Sequence, residues 1–169
     1  MNDPNPHLVE RMQGHRLSIF AEMSTLALET GAINLGQGFP DTDGPSEVLD
    51  AAVAAIRAGH NQYPPDRGIP ELRQAVADHQ RRFYGLDVDP ADVMVSTGAS
   101  EALGASILAL VEPGQEVVVF EPYFDLYAAI IELAGGVRRS VTLRAPDYSF
   151  DQADLEAAIG PDTRLILLN

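Results

Sequence analysis

Lysine and cysteine are both missing from this 169-residue chain, and all 11 of its basic residues are arginine. Without cysteine there can be no disulfide, no thiolate nucleophile and no Cys-ligated metal. Without lysine, chemistry that needs a lysine amine cannot be completed by these residues alone. Positive charge is scarce: 25 acids outweigh the 11 bases and leave a formal charge of -14. That balance argues against a nucleic-acid or anionic-membrane surface, since both require clustered cations, and fits a solvated acidic exterior. No apolar run approaches the ~18 residues of a membrane span. The opening stretch MNDPNPHLVERMQGHR is polar and lacks the apolar core of a signal peptide. A cytoplasmic protein is the expectation. His7, His15, His60 and His79 show no ligand spacing, so no metal site is expected. The chain is 46% hydrophobic, enough for one sizeable core.

Along the chain, residues 1–16 read as a mobile arm. Ser18 can cap a helix to about Thr30, with Ile19, Met23, Leu26 and Ala27 on one face and Gly31 as its stop. A short apolar Ile33–Leu35 then runs into a shaped loop, Gly36–Gln37–Gly38–Phe39–Pro40. A second helix should start near Pro45, capped by Asp43 or Gly44, and end at Gly59. The stretch 60–68 is loop, and 70–84 a third helix ended by Gly85. From there the pattern alternates. Strands are expected at 92–96, 116–120, 137–143 and 164–168, with helices at 101–111, 125–134 and 151–159. The run EVVVF is β-branched without alternation, as in a strand buried on both faces, and RLILL reads the same way. This order implies an α/β fold with a mainly parallel, right-handedly connected sheet. The chain stops just after the last strand, at the sheet edge where such folds build sites, and is expected to be a fragment.

Three segments could carry chemistry. Thr97–Gly98–Ala99–Ser100 lies between strand and helix. Small residues there let backbone N–H groups and a helix N-terminus approach a phosphate. The same residues also suit a plain N-cap and turn. Gly36–Gln37–Gly38 lacks the third glycine and immediate helix of a dinucleotide fingerprint, so it is either a tight turn or a backbone clamp. Tyr123 and Phe124 follow a buried strand and Pro122. They can place a ring over a flat cofactor or simply pack a helix. Arg81–Arg82 and Arg138–Arg139 read as solvated faces.

In collinear order, the segments SIFAEMSTLA, INLGQGFPD, NQYPPDRGIPELRQAV, VSTGASEAL, VEPGQEVVVFEPYFDLY and LILLN span nearly the whole chain. Together they resemble the N-terminal part of a fold-type I, pyridoxal-phosphate-dependent aminotransferase of class I/II. The subgroup resembled is that of N-succinyldiaminopimelate, kynurenine–glutamine and methionine aminotransferases, which includes cysteine-conjugate C–S β-lyases. The resemblance implies a fragment of that fold. Residues 1–44 (arm, helix and GQGFP loop) would belong to the small domain, and 45–169 would form the first part of the cofactor-binding large domain.

It also implies roles for individual residues. Gly98, Ala99 and Ser100 would hold the cofactor phosphate, and Phe124 would stack on the pyridine ring. Tyr63 would reach the phosphate in the partner subunit of a homodimer. The backbone at Gly36 would meet the substrate carboxylate, with Ile19, Phe20 and Tyr127 on the substrate side. The substrates would be an amino acid and a 2-oxo acid. The family's Schiff-base lysine, pyridine-nitrogen Asp and carboxylate-binding Arg come later than Asn169, so this chain alone is expected to be inactive. Two readings of another class remain: a non-catalytic truncated paralogue or assembly module, and the effector domain of a transcription regulator. The latter would carry a DNA-binding domain upstream, whereas only about 30 non-basic residues precede GQGFP.

Incubated with pyridoxal phosphate, the lysine-free chain should yield no borohydride-reducible adduct at an internal residue. Peptide mapping by mass spectrometry checks this, and an adduct away from the α-amino group would overturn it.

Overall fold

The computed structural model describes residues 5–15, 18–38, 40 and 42–169. Residues 1–4, Arg16, Leu17, and the Phe39 and Asp41 of the GQGFPD motif lie outside the described residues. In chain order the helices are α1 (Ile19–Thr30), α2 (Ser46–Arg57), α3 (Pro70–Tyr84), α4 (Gly98–Leu110), α5 (Leu126–Leu133) and α6 (Gln152–Ala158). The strands are β1 (Glu116–Glu121), β2 (Val137–Thr142) and β3 (Thr163–Leu167). The chain divides into two compact units, one made of Met1–Gly36 with Gly98–Asn169 and the other of Gln37–Thr97.

The first unit is built on a parallel sheet in the order β2-β1-β3. The expected continuous burial of β1 is observed: Val117, Val118 and Val119 are all fully buried. Val117 and Val119 meet Ile107 of α4, Val111, and Ile130 and Ile131 of α5 in one cluster. Each such side chain contributes roughly 1.5–3 kcal/mol on leaving water. Arg139 of β2 donates two hydrogen bonds to Glu116 Oε1 of β1. Those bonds, together with the carboxylate charge, hold its guanidinium above the ordinary arginine pKa. At α1, the Ser18 hydroxyl accepts from the Ala21 N–H at 3.3 Å, and Gly31 ends the helix with φ +66°. Both ends are as expected from the sequence.

Several expectations need correction. The arm is not loose over its described part: residues 10–12 form a 3-10 turn. Arg11 Nε donates to the Leu133 carbonyl at 3.1 Å, and His15 Nε2 lies 2.8 Å from Glu132 Oε2. Helix α4 begins at Gly98, so Ala99 and Ser100 form its first turn rather than a separate loop; φ +77° at Gly98 makes the sharp entry possible. Strand β3 is not buried on both faces. Its residues alternate, Ile166 is exposed, and among the described residues no strand pairs with its outer edge.

In the second unit, α2 is preceded by Pro45, not capped by Asp43 or Gly44. Its apolar stripe Val48, Leu49, Val53 and Ile56 is exposed. Helix α3 starts on Pro70 and ends at Gly85, as expected. Residues 92–96 do not form a strand. Val93 is extended (φ -86°, ψ 130°), but a ladder needs a neighbouring strand and among the described residues this unit supplies none. The segment is pinned instead by Val95 N–H to the Arg67 carbonyl at 3.1 Å and by Arg73 Nε to the Val93 carbonyl at 3.0 Å.

Close packing between β2, α5 and the end of α4 depends on Gly136. A Cβ there would lie 2.9 Å from Val111 Cγ1 and 3.3 Å from both Ile131 Cγ2 and the Gln115 carbonyl. Gly136→Ala should therefore destabilise the chain by about 1–3 kcal/mol. Urea unfolding followed by circular dichroism measures the shift in midpoint, and an unchanged midpoint would contradict this packing.

Candidate active-site cleft

The carboxyl end of β1 leads through Pro122 into a turn that presents Tyr123, Phe124 and Asp125 before α5 begins. Across from it lies the first turn of α4. Amides in a first turn have no carbonyl of their own helix to bond, and they sit at the positive end of the helix dipole. The third wall is the arm and the start of α1. Together these elements enclose an open cleft of about 540 Å³, lined among others by His15, Ile19, Phe20, Ser100, Phe124 and Asp125. Four residues singled out from the sequence, Ile19, Phe20, Ser100 and Phe124, thus meet in one place.

The Phe124 ring is partly exposed and is held by two other rings. Phe20 lies 6.0 Å away at 43°, and Tyr127 meets it edge-on at 5.8 Å and 80°. Tyr127 stacks in turn on Tyr123 at 6.3 Å, and the Arg138 guanidinium sits 5.4 Å from the Tyr123 centroid. Arg138 is therefore not merely a solvated charge. Tyr127 is only 5% exposed and does not line the cleft. Its hydroxyl donates to Asn169 Oδ1 at 2.8 Å.

Two other sequence-singled residues lie elsewhere. Gly36 sits in an Asx turn, its N–H donating to Asn34 Oδ1 at 2.9 Å, and lines a separate groove of about 270 Å³ along α1. Tyr63 belongs to the second unit and is 100% exposed. Gly98 and Ala99 stand beside Ser100 in the entry to α4, and a Cβ built on Gly98 meets nothing within 4 Å, so the approach is open. Sequence reasoning missed His15 as a wall of the cleft. It sits in a polar arm with no periodicity, and only its pairing with Glu132, 117 residues away, brings it there.

The profile of the family described as Aminotransferase class I and II matches residues 30–169. A probable N-succinyldiaminopimelate aminotransferase of Mycobacterium tuberculosis is 47% identical over 165 residues, covering 95% of this chain and 41% of the relative. A methionine aminotransferase of Escherichia coli is 42% identical, covering 90% of this chain and 40% of its own length. A solved structure of the Mycobacterium tuberculosis N-succinyldiaminopimelate aminotransferase superposes with a TM-score of 0.87 at 46% identity, over 94% of this chain and 42% of that one. The chain therefore spans about two-fifths of the length of the curated relatives it matches. Sequence profile, relatives and fold agree: the chain belongs to the class I and II aminotransferase family, whose members work with pyridoxal 5'-phosphate, and it has part of the fold-type I architecture.

Proposed function

We propose that these 169 residues are the N-terminal portion of a pyridoxal-phosphate-dependent aminotransferase, a cytoplasmic homodimer that moves an amino group from an amino acid to a 2-oxo acid. One observation carries this reading: the first turn of α4 and the Phe124 ring line the same cleft. The cofactor has a dianionic phosphate at one end and a flat heteroaromatic ring. Helix-start amides and the Ser100 hydroxyl suit the first, and an aromatic face suits the second. A cleft of about 540 Å³ lies within the range of small-molecule sites.

The cofactor, when bound, supplies an electron sink for the carbon that loses its proton. The chain's own residues bind and orient. Ala99 and Ser100 would hold the phosphate oxygens, and Phe124 would fix the plane of the ring. Ile19 and Phe20 would close the substrate side and exclude water. Gly36 would meet the substrate carboxylate only by exchanging the Asn34 Oδ1 that its N–H now bonds for the substrate, since it lies in a groove separate from the cleft. The proton-shuttling amine must come from outside these residues, because they include no lysine. The 41% coverage of the relatives fits a larger whole that supplies it. The chain alone should therefore be inactive. N-Succinyldiaminopimelate is the favoured donor, supported by the 47% identity to a protein named for it. Comparing transamination by the full-length enzyme from N-succinyldiaminopimelate and from methionine tests this, and a higher kcat/KM for methionine would reassign the donor.

In the full-length enzyme, Phe124→Ala should weaken cofactor retention several-fold, as loss of a stacked ring typically costs ~0.5–1.5 kcal/mol beyond area burial. Cofactor titration of the apoenzyme measures it, and unchanged affinity with the fold intact would move the stacking role to Tyr123.

Tyr63 would complete the phosphate site of the partner subunit. It is fully exposed in a loop stiffened by Pro64 and Pro65, so its ring has little freedom to lose on docking. A hydrogen bond to a charged acceptor is worth roughly 1.5–3 kcal/mol. Tyr63→Phe should weaken cofactor binding accordingly. Mixing Tyr63→Phe subunits with subunits disrupted at Ser100 should regenerate one intact site per heterodimer and recover activity. Heterodimers that form yet stay inactive would show that Tyr63 serves no partner.

A further inference from the structure

The ring that faces the cleft is only as well placed as its supports. Phe124 is 38% exposed and has two aromatic neighbours, Phe20 on α1 and Tyr127 in the first turn of α5. Tyr127 is the more deeply set of the two. Its backbone N–H donates to the Phe124 carbonyl at 3.0 Å, its ring meets Phe124 at 80°, and the same ring stacks on Tyr123. A phenol hydroxyl at such a depth must find a partner, since leaving it unsatisfied is costly. That partner is Asn169 Oδ1 at 2.8 Å, two residues beyond the carboxyl end of β3. The bond ties the start of α5 to the carboxyl edge of the sheet, across 42 residues of sequence. It selects one orientation of the Tyr127 ring, and with it one seat for Phe124.

From this geometry we infer that Tyr127 and Asn169 act as a pair of positioning residues: their hydrogen bond braces the Phe124 ring from behind, and neither contacts substrate. The inference rests on the reading of the cleft as a cofactor site. It departs from the role that resemblance implies for Tyr127. A substrate contact would need the hydroxyl in the cleft, whereas Tyr127 lies outside its lining and spends the hydroxyl on Asn169.

The test uses the full-length enzyme carrying Tyr127→Phe, Asn169→Ala, or both. Tyr127→Phe keeps the ring and removes only the hydroxyl. Each single variant should release pyridoxal phosphate about three- to tenfold faster, the change expected from losing one buried hydrogen bond. The visible circular dichroism of the bound cofactor, which reports its asymmetric seating, should weaken in both. The double variant should be no worse than either single, because all three lose the same bond. The apoprotein's thermal midpoint and the KM for the amino donor should stay at wild-type values. Four results would overturn the inference: release and dichroism unchanged, effects that add in the double variant, faster release explained by a lower midpoint, or a donor KM that rises while cofactor retention holds. If the wild-type enzyme takes up no pyridoxal phosphate, the reading of the cleft itself fails, and this inference with it.

Discussion

Everything in the first unit leans on one strand. β1 is paired along both edges and covered on both faces, so its three central valines have no route to water. A parallel strand in that position must be followed by a crossover, and the crossover must leave from its carboxyl end. The aromatic turn that carries Phe124 is therefore not free to drift. It leaves the most constrained strand of the sheet and returns at once into α5, whose Ile130 and Ile131 are buried against that same strand. The first turn of α4 is fixed by the same core through Ile107. Core packing thus fixes the separation of the first turn of α4 and the Phe124 ring.

The third wall differs in kind. The arm is attached to the end of α5 by Arg11 on the Leu133 carbonyl and by His15 on Glu132, both at the surface or close to it. Arg11 satisfies one of the carbonyls that a helix end leaves without an intrahelical donor. Exposed pairs of this type are worth ~0–1 kcal/mol each, far less than the buried valines opposite. The cleft thus has two rigid walls and one weakly held wall.

Much of this was legible from sequence because it is encoded locally. Ser18 and Gly31 punctuate α1, Pro70 and Gly85 punctuate α3, and the β-branched run EVVVF marks β1. The motifs that place Ser100 and Phe124 in one cleft were equally readable. What failed was everything set by a partner. Residues 92–96 have a strand's composition and even its dihedral angles at Val93, but a strand is a relation between two segments and among the described residues of this unit there is one. β3 looked buried because its apolar residues are consecutive, yet burial depends on what lies beside the strand. Arg138 is exposed, as read, but its approach to Tyr123 depends on a fold contact that no local pattern records. His15 was invisible as a wall of the cleft for the same reason.

The outer edge of β3 has a colloidal consequence. Among the described residues no strand pairs with this edge, which offers a row of N–H and C=O groups to any extended chain, and Ile166 and Leu168 beside it are exposed. Natural sheets blunt such edges with charge, proline or a bulge. Here Arg164 is the sole charged side chain on the strand, and its Nε is already donated to the Leu110 carbonyl. With so little to repel a second copy, this piece handled by itself would be held in solution chiefly by its overall charge of -14. Salt that screens that charge would then favour edge-to-edge association over dispersed molecules.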